Sequence, residues 1–119
     1  MSARLAIVCQ HVPDAHNAQQ GGADEVQLVD TPAGDATSPT PDLLRDVRRA
    51  VDADVRPVVK LRAGYGTDGA EVTRLRGLIA DYRSGGADGF VMGFLNGRSE
   101  IDTQVLGSLL RDVRRAVDA

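Results

Sequence analysis

Apolar residues along this chain follow two alternating patterns. In four places they crowd into short runs rich in β-branched residues: Leu5–Cys9, Glu25–Val29, Val58–Arg62 and Gly89–Gly93. Runs of that length, bounded by turn-forming residues, predict strands. Between and after them, apolar residues recur every three or four positions, the period of a helix with one buried face. Pro13 opens a short helix to Gln20, because its missing N–H needs no partner in a first turn. Thr40 and Pro41 open the next as cap and first residue, and Leu43, Leu44, Val47, Ala50 and Val51 of Pro41–Ala53 share one face. Asp68, with Glu71 three residues on, makes a capping box for a third helix that turns Val72, Leu75, Leu78, Ile79 and Tyr82 inward. Asp102 caps the last helix, with Ile101 and Leu106 spaced as a hydrophobic staple.

The chain also repeats itself. The tetrapeptide GGAD stands at Gly21–Asp24 and again at Gly85–Asp88, each time between a helix and a strand, where glycine can take the positive φ of a helix C-terminus. LLRDVRRAVDA stands at Leu43–Ala53 and returns letter for letter at Leu109–Ala119. Periods of this size suit a pair of strand–helix units, so one domain with two similar halves, about 1–53 and 54–119, is expected. The identity of the long repeat points to an engineered or recombined chain, or to a recent natural duplication. Strands alternating with amphipathic helices imply an α/β fold with parallel strands and right-handed crossovers. Four such units predict a (β/α)4 half of a TIM barrel. The chain stops where the fourth unit ends, and its first and fourth strands would be bare edges, which invite pairing. A second copy in a C2 homodimer would complete a (β/α)8 barrel.

Composition narrows the class. With 26% charged residues and a net charge of −3, nothing suggests a nucleic-acid surface. Aromatic residues are 3% of the chain, so the core must be aliphatic. The single cysteine, Cys9, excludes an internal disulfide and points to a reducing cytoplasm. No apolar run is long enough for a signal segment or a membrane span, so no membrane partner is expected.

The motifs VCQHVPDAHNAQQGGADEVQL (Val8–Leu28), SPTPDLL (Ser38–Leu44), PVVKLRAGYG (Pro57–Gly66) and GGADGFVMGFLNGRSEID (Gly85–Asp102) occur in order over nearly the whole chain. Together they resemble the N-terminal half of the CutC copper-homeostasis family, which has a TIM-barrel fold. The resemblance implies a copper-homeostasis protein or a scaffold derived from one, without catalysis, and with Cu(I) as the candidate metal. Family members proposed to bind Cu(I) use two thiols on adjacent strands. Cys9 matches the first position, and Val29 occupies the second. A soft metal favours thiolate or thioether ligands, so weakened binding is expected, and Val29→Cys is expected to restore it. A glutamate common in strand one of the family is here Ile7, and the Ile-Glu-Leu-Cys of strand two is Val26-Gln27-Leu28-Val29.

Other residues carry candidate chemistry of their own. Cys9 and His11 make a two-ligand C-x-H metal pair, with His16 one helical turn further on. Gly64 to Gly69 spells GxGxxG after a strand and before a helix, but Asp68 puts a negative charge into any anion cradle there. A barrel mouth built from Lys60, Arg62, Gly66, Asn96 and Arg98 would instead hold a phosphate or another small anion. That is the competing function: a barrel enzyme or binding protein for a phosphorylated or anionic small molecule. The resemblance turns Arg62 toward the barrel axis. Parity then adds Lys60, Ile7, Cys9, Glu25, Gln27 and Val29, with Glu25 or Gln27 as the partner of Lys60.

Overall fold

The GGAD tetrapeptide explains how the chain turns from helix to strand, because it does so twice in the same way. The structure, a computed structural model, describes residues 3–30, 36–62, 64 and 66–118. The middle of the loop before the second helix and Tyr65 of the glycine-rich turn lie outside the described residues. Helix α1 (Val12–Gln20) ends with Gly22 at φ 100°, and its Ala23 N–H returns to Ala18 O at 3.0 Å. Helix α3 (Gly69–Ser84) ends with Gly86 at φ 96°, and its Ala87 N–H returns to Tyr82 O, also at 3.0 Å. A bond that spans six residues around a left-handed glycine is a Schellman closure, which a side chain with a Cβ would strain. The aspartate of each tetrapeptide then anchors the strand beside it. Asp24 accepts from Leu5 N–H at 2.7 Å, and Asp88 accepts from Val55 N–H at 2.8 Å.

Strands β1 (Ala6–Cys9), β2 (Glu25–Leu28) and β3 (Asp54–Pro57) form a parallel sheet in that order. The register aligns Cys9 with Leu28 and Leu28 with Pro57. Side chains alternate across the sheet, so one face carries Ile7, Cys9, Val26, Leu28, Val55 and Pro57. Helices α1, α2 (Pro41–Ala50), α3 and α4 (Thr103–Asp118) cover that face. Ala15, Leu44, Val47, Leu75, Ile79 and Leu109 are their buried aliphatic contributions to one core, which, against the expectation of a purely aliphatic one, also encloses Phe94 and Tyr82. Full burial of each large side chain there contributes roughly 1.5–3 kcal/mol. Tyr82 brings the one buried phenol among the described residues, and its hydroxyl donates to Pro39 O at the start of α2.

Two expectations need correction. The third strand lies at Asp54–Pro57, not at Val58–Arg62. Its place is set by pairing to β2 and by the Asp88 anchor on Val55, which outweigh the β-branched content of Val58 and Val59. The fourth run, Gly89–Gly93, does lie parallel to β3, but it is joined by a single bridge, Val58 to Val91. Pro57 supplies the reason. On that edge Val55 N–H goes to the Asp88 side chain and Val59 N–H goes to Val91 O, so the missing donor of Pro57 falls between them. A proline at that point interrupts the ladder.

The other face of the sheet is polar at one end. Arg56 Nε lies 3.0 Å from Glu25 Oε1, though its N–H is not aligned for a hydrogen bond, and Gln27 donates to Glu25 at 3.0 Å. Gly89 lets the guanidinium lie close, since a Cβ there would stand 3.2 Å from Arg56 Nη1. Toward the β1 edge the same face becomes apolar and open, with Val8 61% exposed.

Candidate functional site

Cys9 ends β1 with its side chain among the core residues, 2% exposed. The shared axis-facing side expected for Ile7, Cys9, Glu25, Gln27 and Val29 is therefore corrected. Ile7 aligns with Val26 and Cys9 with Leu28, while Ala6 and Val8 align with Glu25 and Gln27. Alternation within a strand is legible in sequence, but the offset between strands is not, and a shift of one residue reverses every face. Burial pushes the Cys9 thiol pKa up, and the Asp14 carboxylate adds to it. Both effects lower the fraction of thiolate, the form that binds metal. Val29 N–H donates to Cys9 O at 3.0 Å, so the two positions are backbone neighbours. Val29 is one residue past Leu28 and is buried outside the helix-facing core. Alternation thus sends the Cys9 and Val29 side chains to opposite sides of the sheet.

His11 is exposed and caps α1 without a side-chain bond, and His16 is exposed one turn later. Among the described residues, no three His, Cys, Asp or Glu side chains gather as a metal-holding group.

Beyond the carboxyl ends of the strands, the side chains expected at a mouth divide into separate places. Arg62 donates from Nε to Glu71 and from Nη2 to Asp68, both at 2.6 Å. Asp68 also caps α3 by accepting from Glu71 N–H at 2.9 Å, and Thr67 Oγ1 hydrogen-bonds Glu71 at 2.7 Å. The Glu71 N–H first, and Arg62 second, hold the Asp68 carboxyl below the usual carboxylate range, while the two carboxylates raise Arg62. The Glu71 side chain, 4% exposed, turns toward Arg62 and Thr67, where a capping box would turn it back to the cap. Its burial was not legible in sequence, because a first-turn glutamate ordinarily faces water.

Gly66 and Asn96 do meet, lining a shallow cavity of about 460 Å³ with Thr67, Leu95, Ser99 and Asp102. Asn96 closes its own turn there: Oδ1 accepts from Arg98 N–H at 2.8 Å and from Glu100 N–H at 3.1 Å. Ser99 in that turn has φ 59°, and Arg98 is exposed on it. Lys60 stands elsewhere, 8% exposed, beside a cavity of about 260 Å³ lined by Ala36, Val58, Val91, Met92 and Gly93. Of its two expected partners, Glu25 faces Asp54 across the sheet, and Gln27 faces Arg56 and donates to Glu25. Lys60 lies six residues beyond Asp54, roughly 20 Å of extended chain and too far for a lysine to reach Glu25. Arg56 holds Glu25 instead, a pairing that a correctly placed third strand would have revealed by alternation.

These elements define a class: an α/β fold with parallel strands, helices packed on one face, and loops gathered beyond the strands' carboxyl ends. A model of the CutC family matches residues 3–116. The chain belongs to the CutC family. It is 31% identical over 111 residues to the family protein CutC of Serratia proteamaculans, covering 91% of this chain and 43% of that protein. The family protein CutC of Salmonella paratyphi B is 33% identical over 102 residues, covering 84% and 41%. The chain thus spans less than half the length of the curated relatives it matches. In fold it is similar to a Streptococcus agalactiae protein named for copper homeostasis as CutC. The TM-score is 0.85 at 18% identity, covering 95% of this chain and 56% of that one. A Burkholderia cenocepacia protein named as a phosphonomutase follows at a TM-score of 0.65 and 22% identity, covering 97% and 49%. Likeness at such identities speaks to the fold alone.

Proposed function

We propose that the chain serves copper homeostasis as a non-catalytic CutC-type protein or a scaffold derived from one, and that it holds Cu(I) weakly. Support for the role comes from membership of the CutC family. The placement of Cys9 carries the weak binding: its thiol is buried among helix-facing apolar side chains and kept protonated. A donor set of one such thiol does not fit a soft monovalent cation. Restoring the other thiol is also expected to help little, since Val29→Cys would present its sulfur on the opposite side of the sheet from Cys9. Titration of the chain with Cu(I) against a competing chelator is the test. Weak uptake that Val29→Cys leaves weak fits the reading, and tight binding of one Cu(I) per chain abolished by Cys9→Ser overturns it.

The competing reading, a mouth that takes a phosphorylated or anionic small molecule, is weighed down by Arg62, whose guanidinium is already engaged by Glu71 and Asp68. We also propose that a second copy closes the fold into an eight-stranded barrel in the cytoplasm. Support comes from apolar side chains left open at the β1 edge of the sheet and around the last helix. Leu5 and Val8 are 47% and 61% exposed at the β1 edge, and Ile101 and Leu110 are 58% and 45% exposed beside and on α4. Light scattering should give a dimer mass, and a stable monomer would remove the closure.

A further inference from the structure

The two repeats of the chain, LLRDVRRAVDA and GGAD, meet each other once. Where α2 passes the end of α3, Leu44, Arg45 and Arg48 of the first LLRDVRRAVDA close over the second GGAD turn. A Cβ at Gly85 would stand 3.3 Å from Leu44 Cδ2 and 3.1 Å from Arg45 Cγ, and one at Gly86 only 2.9 Å from Arg48 Cγ. The bare backbone of the turn is thus what lets the helix approach. Arg48 then donates to the Asp88 carboxylate, which also anchors Val55 N–H. Apolar contact, close backbone and ion pair make one fitted joint.

The complementary halves of that joint are left over. In α4, Leu110, Arg111 and Arg114 are the counterparts of Leu44, Arg45 and Arg48, and all three are exposed. The first GGAD turn has the shape of the second, with Gly22 at φ 100° and Asp24 anchoring Leu5 N–H. Yet a Cβ at Gly22 would meet nothing within 4 Å, one at Gly21 would meet only carbonyl oxygens of its own helix, and Asp24 is exposed. Asp24 belongs to the β1 edge of the sheet, whereas α4 packs on α3 beyond the other edge.

We propose that a second copy of the chain docks its Gly21–Asp24 turn on α4, setting Gly21 against Leu110, Gly22 against Arg114 and the Asp24 carboxylate on the Arg114 guanidinium. The proposal rests on closure of the barrel by a second copy and adds the surfaces that meet. Each chain carries one unmatched helix and one unmatched turn of opposite charge, so a C2 pair satisfies both and stops at two. In a single chain Leu110 and Arg114 stay exposed.

Dilution of the whole chain, followed by light scattering, reads the dimer. Leu110→Glu and Arg114→Glu, at positions exposed in the single chain, should keep the circular dichroism of the fold. Each should weaken dimerisation by roughly tenfold or more, and Arg49→Glu, one residue past Arg48 in the other copy of the repeat, should not. Cross-linking tests the geometry. A Cβ at Gly86 would lie 3.9 Å from Arg48 Cβ, within the range of about 3.5–4.5 Å that a disulfide needs. Gly22→Cys chains mixed with Arg114→Cys chains should therefore give a disulfide-linked pair on oxidation, and mixed with Arg49→Cys chains should not. A monomer for the unaltered chain would remove both the closure and this joint. A dimer that neither glutamate weakens, or cross-linking equal with Arg49→Cys, would leave the closure standing and overturn the joint alone.

Discussion

Helices α2 and α4 carry the same eleven residues and use them differently. In α2, Leu44 is fully buried and Leu43 is partly exposed; in α4, Leu109 is fully buried and its neighbour Leu110 is 45% exposed. The inward direction has moved by one residue, about 100° around a helix. Their ends differ as well. Helix α2 stops at Ala50, and Val51 is already extended at φ −134°, whereas α4 stays helical through Asp118. The Arg48 side chain accounts for part of that stop, since it donates to Val51 O at 2.6 Å, to Ala53 O at 3.0 Å and to the Asp88 carboxylate. Asp88 comes from the second GGAD turn, far along the chain, and α4 has no described counterpart to it. An amphipathic sequence sets a wide apolar stripe, and the surface it meets selects which part of the stripe is buried.

The largest effect expected from this contrast comes from Leu44→Ala. Truncating a fully buried leucine costs about 2–5 kcal/mol, whereas the equivalent Leu110→Ala in an isolated chain should stay within roughly 0.5 kcal/mol. Leu109→Ala and Leu43→Ala should show the reverse order. Urea unfolding of the four variants measures this. A large cost at Leu110 together with a loss of dimer mass would show that a second copy covers it.

Arg48 and Arg114 offer a smaller contrast. Arg48→Ala removes the charged bonds that end α2 and tie it to Asp88, and about 1.5–3 kcal/mol is the usual scale for such a bond. Partial exposure of this pair argues for the lower end. Arg114→Ala, at an exposed site, should fall within roughly 0.5 kcal/mol. Equal losses would mean that the stop of α2 is intrinsic to its sequence.

The smallest effect separates the helix caps. Thr40 of α2 does not titrate in the acid range, whereas the Asp68 cap of α3 has its carboxyl pKa lowered by folding. A lowered carboxyl contributes stability that is present above its unfolded pKa of about 3.9 and is lost as the pH falls through the folded value. Acid should therefore fray the start of α3 before that of α2, and Asp68→Asn should remove the difference. Amide exchange at Glu71 and Leu43, the residues whose N–H groups bond to these caps, would read it directly.

Much of this was legible because it is local. Both GGAD turns, the Thr40, Asp68 and Asp102 caps, and the order of strands and helices follow from φ preferences, cap chemistry and hydrophobic period. The staple of Ile101 onto Leu106 was equally readable as a spacing, but Ile101 stays 58% exposed. Its backbone pairs across the Asn96 turn with Leu95 instead.

The candidate site was less legible, and the reason is physical. By itself the sequence determined the alternation of Cys9 with Val8, of Glu25 and Gln27 with Val26 and Leu28, and the helical stripe of each LLRDVRRAVDA. Only the tertiary structure decided which positions of different segments meet: Cys9 beside Leu28, Arg56 beside Glu25, Arg62 beside Glu71. Periodicity is a property of one segment and is written in its residues. Register and helix rotation belong to pairs of segments, and they are set by whichever surfaces pack together with the most apolar area buried and the fewest polar groups unpaired. That is why eleven identical residues bury Leu44 in one place and Leu109 in the other.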